Sequence, residues 1–418
     1  MNAIIVAVDR LHAGYLGCYG NAWVLTPEFN RLAAEGFVFD QCLIDSPQLA
    51  EIYESYWLGS HVSERRGRGA AQTPFAGLLE AAGRATTLIC DEVEVCEHPL
   101  ASAFGEVIRY DAPADAGDSE SRGGGDPAET HLARFFAVAC EWLAAAREPF
   151  CLWLHTGALG AEWDAPYEFR RQYADEDGPS APDFRDVPRR MLPEDYDPDE
   201  LLGICQAYAG QVSLLDLALG GLLELVRSGS LASNTLLAVT SARGFPLGEH
   251  RRIGPVDDAL YGELVQAPWL LRMPDGLGAM DRSQALVQPA DLFATLLDGL
   301  QIARPAPCGS GQSALPLVRG DQQWLRDHAC IFGPHGERGL RTPAWYLRRP
   351  VRAAESEAPR AELYAKPDDR WEVNDVADRC PAETEALEQA LSAFESAAKS
   401  GSLEQLAPLD EYLVDELS

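Results

Sequence analysis

The sequence predicts an α/β protein with a mostly parallel sheet covered by helices on both faces, and three observations predict it. Short apolar runs of strand length recur along the chain, helical stretches alternate with them, and Pro, Gly and Asp punctuate the junctions. The first run, Ile4-Ile5-Val6-Ala7-Val8, is continuous and rich in β-branched residues, the pattern of a strand buried on both faces. Thr26-Pro27 then opens a helix carrying Phe29, Leu32 and Ala33, and Gly36 stops it. Phe37 to Cys42 reads as a strand, Phe75 to Ala82 as a helix, Thr86 to Cys90 as a strand and His131 to Arg147 as a long amphipathic helix. Phe150 to Leu154 is a central strand. Leu201 to Arg227 has the most sustained helical spacing of apolar residues, and it leads into the strand Thr235 to Thr240. Trp269 to Arg272 is a further strand. Helices at Pro289 to Leu300 and Pro381 to Lys399 complete the series.

With 418 residues, 46% of them hydrophobic, the chain can bury a large core. The predicted division is a main α/β domain over 1–300 and a smaller subdomain over 301–418 that ends in an acidic tail. Residues 111–129, rich in Asp, Gly and Ser, and 175–199, rich in Pro, Asp and Arg, are expected to form mobile loops. Net charge is −31, from 65 acidic against 34 basic side chains. Such a field repels phosphate backbones and anionic lipid, which argues against nucleic-acid or membrane-surface partners. Arg65-Arg66-Gly67-Arg68 is a small basic run expected in a solvated loop. The chain shows no basic start, no apolar stretch of signal length and no run of membrane-span length, so the expectation is a cytoplasmic protein. The ten cysteines include no C-x-x-C pair and are expected to be reduced, mostly buried thiols.

An ordered set of motifs then resembles one family. Asn2 to Asp9, Leu16-Gly17-Cys18-Tyr19-Gly20, Thr26-Pro27 and Leu32 to Gly36 resemble the opening of sulfatases of the alkaline phosphatase superfamily. Tyr208 to Leu223, Thr235 to Gly244, Gly248-Glu249-His250 and Leu260 to Glu263 continue the likeness. Ala267-Pro268, Gly311 to Leu317 and Glu362-Leu363-Tyr364 extend it, so it spans nearly the whole chain in order. The resemblance implies a mixed, mostly parallel sheet between helices, then a C-terminal subdomain with a short antiparallel sheet and a helix. It also implies a divalent cation, usually calcium, held by carboxylates, and a formylglycine nucleophile made from Cys or Ser.

Position by position, this chain departs from the family's pattern. The segment Ser46-Pro47-Gln48-Leu49 keeps the family spacing, but Leu49 stands where the nucleophile belongs, and leucine can neither become formylglycine nor attack sulfur. Ile52 and Tyr53 replace the Ser-Arg read by the modifying enzyme. The first strand delivers Asp9-Arg10 in place of a pair of ligands, and His12 stands where the family has Arg. The second metal-binding strand end reads Ser241-Ala242-Arg243-Gly244, so Ala242 and Arg243 replace both ligands. The family's Lys falls at about Pro255, and its substrate-facing His falls at Gly160. Of the catalytic set, Asp9 and His250 remain.

One carboxylate flanked by arginines cannot dehydrate calcium, which takes six or more oxygens. The sequence therefore predicts no catalytic residues, no bound metal and no cofactor. A vestigial cleft of Asp9, Arg10, Arg243 and His250 is either a structural ion pair or a place for a small anion. The leading expectation is a sulfatase-like pseudoenzyme binding a small anion or a protein partner. One alternative is an ester hydrolase with a rearranged site, using calcium or magnesium and a hydroxyl from Ser46, Thr240 or Ser241. Another is a structural subunit without ligand.

Overall fold

A computed structural model describes residues 1–64, 72–111, 125–175, 177–306, 309–351 and 360–415. The basic run at 65–68 and most of the predicted loop at 111–129 lie outside these residues. The chain packs into two compact units, each assembled from separate stretches. The first comprises Met1–Val38, Leu79–Val256 and Pro268–Arg282; the second comprises Phe39–Leu78, Asp257–Ala267 and Ser283–Ser418. The sequence reading cuts the chain once, near residue 300, because composition does not mark where a chain leaves a unit and re-enters it.

In the first unit the strand order is Gln266–Arg272, Thr235–Thr240, Asn2–Val8, Phe150–Thr156, Ala85–Cys90, Glu106–Arg109. All neighbours run parallel except the first two, which pair antiparallel. Asn2–Val8 is buried at every residue, as expected of a strand with parallel neighbours and helices on both faces. Its register aligns Val8 with Thr156 and Ala7 with Thr240, so three strands finish level at one edge of the sheet. Loops leaving that edge are where open α/β sheets assemble their sites.

The helix Pro198–Val226 dominates the core of this unit. Asp197 caps it by accepting from the Asp199 backbone N–H, and Pro198 occupies the first turn, where a missing N–H costs nothing. Its 29 residues correct one expectation, since they are long and apolar enough to match a membrane span. Yet 72% of its apolar window is buried inside the protein, against the helices His131–Ala145 and Tyr167–Arg171 among others. Length and apolarity come here from being surrounded on nearly all sides.

The second unit holds a four-stranded antiparallel sheet, Ala329–Phe332, Arg338–Arg341, Trp345–Arg349 and Glu362–Ala365, in chain order. The helix Pro381–Ser400 supplies Leu387, Leu391 and Phe394 to the same core as Leu340, Leu347 and Leu363. Strands Phe37–Leu43 and Asp281–Val287 and the helices Leu49–Leu58 and Pro289–Gly299 also fall wholly or mostly in this unit.

The cysteine expectation needs a correction as well. Cys90 and Cys96 form a disulfide, because the turn after the strand Ala85–Cys90 brings the short helix Val93–Cys96 back to within 6.0 Å between Cα atoms. Six residues of separation did not reveal that pairing. Seven other cysteines among the described residues are free thiols.

Candidate functional site

The level strand ends of the first unit build the site. Asp9 leaves the first strand, and its backbone N–H donates to the Thr156 carbonyl, 2.9 Å, extending the ladder by one residue. Arg10 then takes a left-handed conformation with φ 65°, a region where a long side chain is strained. Tyr208, from the long helix, holds this turn from both sides. Its hydroxyl donates to the Arg10 carbonyl at 2.7 Å and accepts from the His12 N–H at 2.9 Å. Ser241 adds a third tie, accepting from the Leu11 N–H at 3.2 Å while donating to the Arg243 carbonyl at 2.6 Å.

That turn and the loop after Thr235–Thr240 bring Asp9 and Arg243 together. Arg243 Nε donates to Asp9 Oδ1 at 3.0 Å and Nη2 donates to Oδ2 at 2.5 Å, a bidentate pair using both carboxylate oxygens. Arg10 Nε lies 3.6 Å from the same Oδ2. All three side chains are more than nine-tenths buried. Burial by itself pushes the Asp9 carboxyl up, but Arg243 and then Arg10 outweigh it and hold the group at about 2. Asp9 is therefore a carboxylate throughout the neutral range, with two guanidinium groups as counter-charges.

Gly160 explains how Arg10 fits. A Cβ built on Gly160 would meet Arg10 Cγ at 3.0 Å, so the bare backbone makes room for the arginine stem. Ala242 is fully buried beside Arg243 in the chain. His250 is half-buried in the turn following Gly248-Glu249, and Pro255 is half-buried beyond the short strand Arg252–Ile253. Of the expected cleft set Asp9, Arg10, Arg243 and His250, the first three come together, and Gly160, expected as a lost substrate position, lies against Arg10. Sequence reasoning missed Tyr208, and it missed the pairing of His12 Nε2 with Glu249 Oε1 at 3.4 Å. The signal for the second is present in Gly248-Glu249-His250; Tyr208 is hidden inside an apolar helix.

In the second unit Leu49 is the first residue of the helix Leu49–Leu58 and is 1% exposed. The hydroxyls near it are engaged. Ser46 donates to Glu51 at 2.5 Å, and Ser55 donates to Asp45 at 2.6 Å. In the first unit, Thr240 donates to the Pro268 carbonyl at 2.9 Å, and Ser241 to Arg243 as described. Thr240 and Ser241 thus direct their protons to backbone carbonyls, whereas Ser46 and Ser55 donate to carboxylates.

The sequence profile of the sulfatase family matches residues 1–302. The chain belongs to the sulfatase family. Human arylsulfatase D is 30% identical over 130 residues, covering 25% of this chain and 22% of the relative. Mouse steryl-sulfatase is 28% identical over 129 residues, with 25% and 21% covered. The chain therefore matches less than a quarter of the length of these curated relatives. Among solved structures, the phosphonate monoester hydrolase of Agrobacterium radiobacter superposes with a TM-score of 0.77 at 16% identity, covering 95% of this chain and 96% of that one. A protein solved with its substrate D-glucosamine-2-N,6-O-disulfate gives a TM-score of 0.75 at 18% identity, covering 97% and 99%. These likenesses establish the fold, a mixed, mostly parallel α/β architecture with a small C-terminal sheet.

The sulfatase fold implies a divalent cation, and the residues of this family member do not fit one. Both Asp9 oxygens accept from Arg243, the neighbouring positions are Arg10 and Ala242, and no group of three His, Cys, Asp or Glu side chains among the described residues could hold a metal ion. Calcium needs six to eight oxygens and magnesium an octahedron of them. A cation entering beside Asp9 would face two fixed positive charges.

Proposed function

We propose that this sulfatase-family protein is a pseudoenzyme whose cleft binds a small anionic group without turning it over. One observation carries the reading: the Arg243 guanidinium occupies both oxygens of Asp9, in the role that a divalent cation plays in the family. A guanidinium offers charge and directed N–H donors, yet it cannot exchange a ligand or lower the pKa of a bound water as a metal does. Arg10 and Arg243 place two guanidinium groups at one strand edge, and directed N–H donors of this kind suit an oxyanion such as sulfate or a phosphate monoester. With Leu49 at the nucleophile position, the family's covalent step has no attacking atom.

The test is a paired assay on the purified protein. Sulfate and phosphate binding are measured by calorimetry, and hydrolysis of nitrophenyl sulfate, phosphate and phenylphosphonate esters is followed in the presence of calcium, magnesium or manganese. The reading predicts anion binding that Arg10→Ala weakens, and no turnover above the uncatalysed rate. Metal-dependent turnover would instead establish a rearranged hydrolase, with the Ser46–Glu51 pair the first residues to substitute. Neither binding nor turnover would leave Asp9 and Arg243 as a structural ion pair.

A further inference from the structure

The disulfide of the first unit lies two strands along the sheet from the strand that Asp9 leaves. Cys90 ends the strand Ala85–Cys90 and bonds Cys96, the last residue of the short helix Val93–Cys96, so Asp91 and Glu92 sit inside a covalent ring. Both carboxylates reach across to the neighbouring strand Phe150–Thr156 and the loop that leaves it. Asp91 Oδ1 accepts from the Gly157 N–H at 2.8 Å. Its Oδ2 accepts from the Thr156 hydroxyl at 2.6 Å and faces His131 Nε2 at 2.7 Å. Glu92 Oε2 lies 3.0 Å from His155 Nε2, and a Cβ built on Gly157 would meet that same oxygen at 2.5 Å.

From this loop the path to the cleft is short. The Thr156 carbonyl accepts from the Asp9 N–H at 2.9 Å, and the Gly157 carbonyl accepts from the Gly160 N–H at 2.9 Å. Gly160 is the residue whose bare backbone leaves room for the Arg10 stem. Asp91 therefore fixes one residue that bonds Asp9 and a second that places Gly160 beside Arg10.

What pins the ring decides whether its covalent bond matters. Val95 is the buried residue of the helix Val93–Cys96, Val93 is exposed, and a helix of four residues has no cooperative stability of its own. Beyond the two carboxylates, Val95 and the disulfide hold the turn. Loop closure at a sequence separation of 6 is worth on the order of a tenfold or larger shift in local opening.

The exchange chemistry is selective. Cys96 is half-buried and Cys90 is fully buried, so exchange starts at Cys96. A thiolate of a dithiol reductant attacks the Cys96 sulfur, breaks the S–S bond and releases Cys90 as a thiolate that takes up a proton. The reductant's second thiol then displaces Cys96, leaving two cysteine thiols and a cyclic disulfide in the reductant, a transfer of two electrons. A small disulfide reverses the sequence. Burial pushes the Cys42, Cys151 and Cys330 thiols up, which keeps them out of this exchange.

We propose that Cys90–Cys96 is a thiol–disulfide switch on the cleft. Oxidised, it holds Asp91 against the loop of Thr156 to Gly160 and so fixes the turn of Asp9 and Arg10; reduced, it lets them loosen. The inference rests on the geometry of that loop and not on the anion reading given above.

Amide hydrogen exchange on the full chain, oxidised with glutathione disulfide and then reduced with dithiothreitol, tests the proposal, with thiols counted by iodoacetamide labelling in denaturant. Reduction is expected to raise the thiol count and to speed exchange at the Gly157 and Asp9 amides on the order of tenfold, with the strand Ala329–Phe332 unchanged. Reoxidation should restore the slow rates. Cys96→Ser, which keeps the buried Cys90 side chain in place, should exchange as the reduced parent does and ignore the reductant. The proposal is overturned if oxidised and reduced chains show the same thiol count, or if Gly157 or Asp9 exchanges equally in both. It is equally overturned if reduction speeds exchange throughout the chain, or if Cys96→Ser still responds to dithiothreitol.

Discussion

Gly160 and Arg10 form one structural unit: a Cβ at position 160 would lie 3.0 Å from Arg10 Cγ, so the absence of a side chain at one position is a condition for the conformation of the other. The sulfatase resemblance puts a substrate-facing His at 160 and a metal ligand at 10. Neither could return alone without displacing what is now there. Gly160→His should destabilise the protein by about 1–3 kcal/mol through overpacking, and most of that should vanish in an Arg10→Ala background. A urea-denaturation double-mutant cycle measures the coupling; additive effects would show that the two positions are independent.

Arg243 is the main counter-charge of a buried carboxylate. Removing it in Arg243→Ala leaves Asp9 with Arg10 alone, whose Nε is 3.6 Å away. The expected loss is about 3–5 kcal/mol, the usual effect of leaving a buried charge without its partner. Asp9→Asn combined with Arg243→Gln should lose less than the sum of the single changes. Chemical denaturation of the four proteins decides this.

The pH dependence follows from Asp9 with a definite sign. Its folded value of about 2 lies below its ordinary 3.8, so the folded state holds this proton less tightly than the unfolded chain. The resulting stability is present above the unfolded value and is lost as pH falls through about 4 toward 2, roughly 2 kcal/mol in all. Asp216 acts in the opposite direction. Burial raises its carboxyl to about 6, although it accepts from the Phe29 and Glu28 N–H groups at 2.9 and 3.1 Å. Its ionisation therefore opposes folding as pH rises from about 4 to about 6. Stability measured between pH 2 and 7 in the parent and in Asp9→Asn should differ on the acid limb, with the variant showing the smaller loss there.

Tyr208 holds the turn that presents both Asp9 and Arg10. Tyr208→Phe keeps the ring packed on Phe245, centroids 5.0 Å apart, but strands the Arg10 carbonyl and the His12 N–H. The predicted cost is about 1–3 kcal/mol. Amide hydrogen exchange should speed up at His12 while the central strand Asn2–Val8 stays protected; unchanged exchange at His12 would mean the hydroxyl does not tie the turn.

Much of the fold was legible because its elements carry strong local signals. The sequence locates Thr235–Thr240 to the residue, and Pro381–Ser400 and Phe37–Leu43 to within one. The strands Glu106–Arg109 and Asp281–Val287 were missed. The first is a short edge strand with exposed side chains, and the second begins exposed and polar, so neither has a buried strand's apolar run. At the site, Asp9, Arg10 and Arg243 could be named because a family pattern fixed their positions, and their charges stood out against it. Tyr208 could not, because a helix buried on nearly all sides hides which of its residues sends a polar atom into a loop.

The most direct test of the central claim, that a guanidinium has taken the cation's place on Asp9, is metal content and thermal stability after dialysis against calcium, with and without a chelator. The account predicts less than stoichiometric metal and a melting temperature that calcium and chelator leave unchanged, in the parent protein and in Asp9→Asn alike. A divalent cation at one per chain, with stability lost on chelation and absent from Asp9→Asn, would contradict it.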